Sequence, residues 1–254
     1  MQATSNIPRA ITTLGKGLVD LLWPPSCLGC GVHVETAAGL CPPCWARARF
    51  ITGLACTSCG LPLPGSEDMA VQCDDCRRHP PPWTQGVATA LYDGPVRQLV
   101  LGLKHGDRLD LAHPLGNWLA RTARPLITPD TLVAPVPLHW WRRLKRRSDQ
   151  AALLAARVVR REGGILIPDL LVRSRATPSQ GHLGRDARFA NLAGALRLRA
   201  GRQVTGRRIL LIDDVMTSGA TLSAATLVLQ AAGAARVDVA VLARVPPGRL
   251  TDRD

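Results

Sequence analysis

Aromatic residues are scarce in this chain: six Trp, two Phe and one Tyr, 4% of 254 residues. A core built around stacked rings is excluded. Burial must rest on Leu, Val, Ile and Ala, and the apolar fraction of 46% is that of a globular protein. Long apolar runs are missing as well. None approaches the roughly 18 residues that a membrane span needs. The segment Ala10–Trp23 has Ile11, Leu14, Leu18 and Leu22 at helical spacing, but it holds Lys16 and Asp20 and lacks a signal-peptide cleavage pattern. It reads as a packing helix within residues 1–24 of a cytoplasmic protein, with a membrane-surface helix as the alternative. Acidic residues are few, 19 against 32 Lys and Arg, for a formal charge of +13. That balance favours phosphate-rich partners, although an arginine-rich genome produces the same composition.

No cysteine follows Cys76. All eight fall between Cys27 and Cys76 as the pairs Cys27/Cys30, Cys41/Cys44, Cys56/Cys59 and Cys73/Cys76. Cys-x-x-Cys spacing lets two thiolates on a tight turn face one ion, and two such turns complete a tetrahedral zinc site. Four pairs imply two closed four-cysteine sites, structural and not catalytic. Disulfides would need an oxidising compartment, for which the sequence has no export signal. A redox protein needs one pair and not four. Sequential pairing gives a tandem zinc ribbon and alternate pairing a cross-brace, and the spacing leaves both open. Pro80-Pro81-Pro82 marks the boundary expected between a zinc-ribbon module, residues 25–82, and a larger domain, residues 83–245, with a tail at 246–254.

Beyond that boundary strands alternate with amphipathic helices. Strands are expected at Gly86–Tyr92, Leu132–Val136, Arg208–Asp213 and Val237–Ala243. Helices are expected at Pro95–Lys104, Leu111–Arg124, Asp149–Arg161 and Ala220–Ala232. This order predicts an α/β fold with a parallel sheet covered by helices on both faces.

The string ILLIDDVMTSGATL, Ile209–Leu222, carries the chemistry. An apolar strand leads to Asp213 and Asp214, then to the small-residue turn Thr217-Ser218-Gly219-Ala220-Thr221, then to a helix. Such a turn offers backbone N–H groups and hydroxyls to a phosphate. The two acids would repel a phosphate but suit neighbouring hydroxyls. Together they describe a ribose 5-phosphate. A plain helix cap explains the turn but not the whole string.

At these residues the chain resembles the type I phosphoribosyltransferases. With its cysteine pairs, it is similar to the ComF family, named for bacterial DNA uptake. The matching stretches are Leu101–Ala112, Val133–Ala155, and Gln180, Leu183, Arg185, Arg188 and Asn191. The resemblance implies that Asp213 and Asp214 hold the ribose hydroxyls and take the catalytic position. It implies that Thr217, Ser218, Gly219, Ala220 and Thr221 cradle the 5-phosphate of phosphoribosyl diphosphate, with Mg2+, beside two structural Zn2+. It also implies a closing hairpin over Arg173–Asn191. Two places depart from the family's pattern: Arg146-Arg147-Ser148-Asp149-Gln150 lacks the usual aromatic and Asn, and Ser218 replaces a Thr. His139–Arg147 sets Trp140 and Trp141 beside Arg142, Arg143, Lys145, Arg146 and Arg147. With Arg185 and Arg188 these are candidates for diphosphate or nucleic acid, and a solvated charged face is the third reading. The family implies an accessory role in DNA uptake at the inner face of the membrane, with single-stranded DNA and a helicase-like competence protein as partners. The alternative is an active magnesium-dependent phosphoribosyltransferase of unknown acceptor. A zinc interaction module carrying a relic transferase domain is a third option. The sequence assigns no chemistry to Lys104, His105 and Asp107, and leaves the oligomeric state open.

Overall fold

A computed structural model describes residues 24–36, 38–66, 70–105, 108–137, 149–174, 185–192 and 194–246. The helix expected before Pro24 and the tail from residue 247 lie outside them. The chain divides into two compact units, one ending at Arg47 and one beginning at Ala48.

The first unit is built on a cysteine knuckle and a short helix. Cys27 N–H donates to Val32 O (2.7 Å) and Gly31 N–H to Cys27 O (2.9 Å). Helix α1 (Pro42–Arg47) follows Cys41 and buries Cys44. The second unit opens with the same device. Cys56 N–H donates to Leu61 O (2.7 Å), Gly60 N–H donates to Cys56 O (2.8 Å), and α2 (Asp74–Arg78) follows Cys73 and buries Cys76. The sulfurs group as Cys27, Cys30, Cys41, Cys44 and as Cys56, Cys59, Cys73, Cys76. Of the two pairings open at the sequence level, the sequential one is formed.

The rest of the second unit is a five-stranded parallel sheet of order β1-β7-β6-β2-β3. Its strands are β1 (Gly86–Leu91), β2 (Leu132–Pro135), β3 (Ile165–Leu166), β6 (Arg208–Met216) and β7 (Arg236–Arg244). A separate antiparallel pair is formed by β4 (Leu171–Arg173) and β5 (Leu196–Leu198). Helices α3 (Gly94–His105), α4 (Ala112–Ala123), α5 (Gln150–Glu162) and α7 (Ala220–Ala231) fall where the apolar spacing puts them. The stripe Val96, Leu99, Val100 and Leu103 of α3 is fully buried. Helix α6 (Arg185–Leu192), β3, β4 and β5 were not expected; they are too short for periodicity to register.

Strand β6 explains why helices lie on both faces. Ile209 and Leu211 pack with Val237, Val239 and Val241 of β7 against Leu222, Ala225 and Leu229 of α7. The alternate residues Leu210 and Ile212 are equally buried on the opposite face, where α4 and α5 pack. A strand covered twice has no polar side, hence the continuous run Ile-Leu-Leu-Ile. The second cysteine tetrad and Trp83 belong to the same core cluster as Ile209, Leu211 and Leu222. This cluster is the packing link between tetrad and sheet. Gly86 marks how close the approach is: a Cβ there would stand 2.2 Å from Ser58 O, inside the second knuckle.

Candidate functional site

Strands β2 and β6 are neighbours, yet the helices that follow them cover opposite faces of the sheet. A crevice opens at the carboxyl ends of strands where connections diverge in this way. Pairing of β6 with β2 ends at Ile212 and Pro135, while pairing with β7 continues through Asp213, Val215 and Met216. The strand expected to stop at Asp213 therefore runs to Met216. Both acids sit past its midpoint, beyond the end of β2 pairing and beside β7.

Alternation separates the two acids. Asp213 lines a small hollow of about 20 Å3 together with Thr217, Ser218, Gly219, Ala220 and Thr221. The turn leads directly into α7, whose first N–H groups have no intrahelical acceptors. A phosphate resting on this turn meets N–H groups, hydroxyls and the positive end of the helix. Asp214 points to the other face and is largely buried; its Oδ1 lies 3.0 Å from Lys104 Nζ of α3. Asp214 N–H donates to Asp213 Oδ1 (2.8 Å). Burial pushes the Asp213 carboxyl up to about 8, helped by the charges of Asp214 and Asp149 and opposed by Lys104. From 3.8 to about 8 the folded chain holds a proton that the unfolded chain has released, so stability falls as pH rises through that window. The thermal midpoint of the wild-type protein is expected to decline relative to Asp213→Asn between about pH 5 and pH 8. A constant gap between the two would contradict the placement of this carboxyl.

Two residues unmarked by the sequence fix the turn. Gly219 has φ +77°, and a Cβ there would stand 2.9 Å from Trp83 Cη2. Trp83 is buried, and its Nε1–H donates to Ser58 O in the second knuckle. On the other side Arg244, the buried last residue of β7, donates through Nη1 to Met216 O (3.1 Å), Thr217 O (2.7 Å) and Val245 O (2.6 Å). A chain of direct contacts thus runs from the second tetrad through Trp83 to the turn Thr217–Thr221.

The tetrads suit a tetrahedral thiophilic cation. Metal–sulfur bonds of about 2.3 Å give sulfur–sulfur edges of about 3.8 Å in a tetrahedron. Cys30 and Cys41 are 3.6 Å apart, and Cys59 and Cys73 are 3.7 Å apart. Backbone N–H groups donate to sulfur, Cys41 to Cys27 (3.2 Å) and Cys73 to Cys56 (3.3 Å). Hydrogen bonds from the Cys59 and Cys76 thiols hold Cys56 far below the ordinary thiol range, while Cys59, sharing its proton with Cys56, rises to about 11. A cation bound there replaces shared protons. The residues fit zinc, which would brace each knuckle against its helix. The acid pair is different. Asp214 already faces an ammonium, and the only groups of three or more converging ligands among the described residues are the two tetrads. It does not fit a directly ligated magnesium.

Of the basic candidates, Arg142, Arg143, Lys145, Arg146 and Arg147 lie outside the described residues. Arg185 opens α6, and Arg188 of α6 is buried. Asp149 caps α5, its side chain accepting from Ala152 N–H (3.1 Å). Lys104 is brought into the site, His105 ends α3, and Asp107 lies outside the described residues. Among these residues no helix is long and apolar enough to cross a membrane.

Sheet order, divergent crevice and strand-end acids define a phosphoribosyltransferase-like domain, preceded by two four-cysteine sites. The model of the Double zinc ribbon domain matches residues 18–77, and that of the Phosphoribosyl transferase domain matches residues 149–254. The chain belongs to the ComF family. It is 35% identical over 212 residues to the DNA utilization protein YhgH of Escherichia coli (strain K12), covering 81% of this chain and 90% of that protein. It is 27% identical over 226 residues to Competence protein F of Haemophilus influenzae, covering 86% and 96%. A shorter match, 49% identical over 57 residues, is to the Orotate phosphoribosyltransferase of a Nocardioides species, covering 22% of this chain and 31% of that one.

Proposed function

We propose that this protein is an accessory factor of DNA uptake or utilisation that binds phosphoribosyl diphosphate or a related ligand through its ribose 5-phosphate part. One observation carries the ligand: Asp213 and the turn Thr217–Thr221 line a single hollow at the carboxyl end of β6. The phosphate rests on the turn, and the sugar hydroxyls donate to the acids at the strand end. A magnesium ion arriving with a diphosphate is held by the ligand's own oxygens and neutralises their charge. The role in DNA follows from the relatives' names and from the basic balance of the chain. The segment 139–147, with Trp140 and Trp141 among arginines, supplies charge for a backbone and rings for stacking, as single-stranded DNA requires. The thiol-rich ribbons suit a reducing cytoplasm, where a helicase-like protein would pass on the incoming strand.

In a naturally transformable host, deletion is expected to lower transformation, with restoration by the wild-type gene and not by Asp214→Asn. In gel shifts, single-stranded DNA is expected to bind with an affinity that falls steeply with salt, and replacing Arg142, Arg143, Arg146 and Arg147 by Ala should flatten that dependence. Undiminished transformation in the deletion strain, or salt-insensitive binding, would count against the DNA role. Transfer of the phosphoribosyl group to an acceptor is the enzymatic reading of the same loop. Diphosphate release above that of an Asp213→Ala control would favour it.

A further inference from the structure

Lys104 is the residue of this site that neither the motif nor the family comparison assigns. It stands one residue before the end of α3, whose C-terminal turn is anchored by buried Gln150, donating through Nε2 to Leu103 O (3.3 Å). That anchor sets the lysine beside β6, where Nζ reaches Asp214 Oδ1 at 3.0 Å with both side chains mostly shielded from solvent. Asp214 touches this ammonium, the Asp214 N–H joins it to Asp213, and Asp149 at the start of α5 is close enough to act on Asp213. Lys104 therefore sets a positive charge in direct contact with the acid pair.

We propose that Lys104 is the resident cation of the site, holding Asp214 in place and neutralised so that a ribose 5-phosphate group binds without a divalent ion. This rests on the ribose 5-phosphate reading above and deepens it. A sugar diol is a neutral hydrogen-bond donor, and it can be accepted by a carboxylate whose charge is already matched. A divalent cation, in contrast, gains from uncompensated carboxylates in a low-dielectric crevice and gains little where an ammonium stands 3.0 Å away. Removing the ammonium strips Asp214 of the cation at 3.0 Å, and a shielded carboxylate left in that way attracts magnesium.

The test is calorimetric titration with ribose 5-phosphate, which lacks the diphosphate that would itself carry magnesium. Wild type, with its zinc retained, is expected to bind equally well, within about twofold, in magnesium-free buffer without chelator and in excess magnesium. Lys104→Gln is expected to lose at least about tenfold in magnesium-free buffer and to recover most of it in magnesium, while Lys104→Arg keeps magnesium-independent binding. Thermal midpoints of all three confirm that the chain is folded, and a merely structural lysine would not change the magnesium dependence. Wild-type binding that needs magnesium, or a Lys104→Gln variant indifferent to it, overturns the proposal alone. Absence of binding under both conditions overturns the ligand reading and this inference with it.

Discussion

Replacing Cys59 or Cys76 by Ser is expected to destabilise the whole second unit, not the ribbon alone. Their sulfurs belong to the core cluster that holds Ile209, Leu211 and Leu222, and all four cysteines of this tetrad are buried. The knuckle is also bonded to the sheet: Gly86 N–H donates to Thr57 O (2.9 Å), and Trp83 donates to Ser58 O. Structural zinc contributes about 10–16 kcal/mol of apparent binding energy in small metal-dependent folds. With three ligands left, a loss on the order of 5 kcal/mol is expected, or about 10–20 °C in thermal midpoint for a domain of this size. Ligand binding should fail together with the fold, because the turn leans on Trp83. Cys30→Ser affects a tetrad of the first unit, and should leave ligand binding by the second unit unchanged. Circular dichroism melts with and without chelator, paired with calorimetry, check both statements. A folded, ligand-competent Cys76→Ser protein would contradict the coupling.

The second large effect is expected at Gly219. Val at this position must adopt φ +77°, a conformation costing a β-branched residue about 1–3 kcal/mol, and its Cβ would meet Trp83 Cη2 at 2.9 Å. Neither problem is relieved by moving a flexible side chain end, since the indole is buried and bonded to Ser58. The turn must shift instead, and with it the N–H groups that face a phosphate. A loss of at least about a hundredfold in affinity for phosphoribosyl diphosphate is expected, equal to about 2.7 kcal/mol, with a modest fall in stability. Gly219→Ala keeps the strain and the close contact, and should give a smaller loss in the same direction. Ligand affinity unchanged in Gly219→Val would remove the turn from the site.

Much of this arrangement is legible in the chain itself. The four-residue apolar run of β6 and the buried stripe of α3 each reflect a single surrounding, and apolar spacing records surroundings of that kind. The cysteine pairs give two tetrads for the same reason, because spacing within a knuckle is local. What spacing does not record is contact between distant segments. Lys104 and Asp214 meet across 110 residues, and nothing near either announces the other. Trp83 reads as one more apolar residue after a proline run until Gly219 is seen against its ring. Arg244 lies one residue past the expected strand, yet it is buried and holds three carbonyls. The split between the two acids follows from strand alternation once β6 is extended to Met216, and that extension depends on β7.

We propose that the phosphate rests on the turn after β6 and the sugar hydroxyls meet its two acids. Titrating 15N-labelled protein with ribose 5-phosphate and following backbone amide resonances tests it most directly. Saturable shifts are expected at Asp213, Asp214 and Ser218–Leu222, with the same affinity from each, and none at the first tetrad. Saturable shifts confined to the cysteine tetrads or to residues 139–147, with those of the turn unmoved, would contradict it.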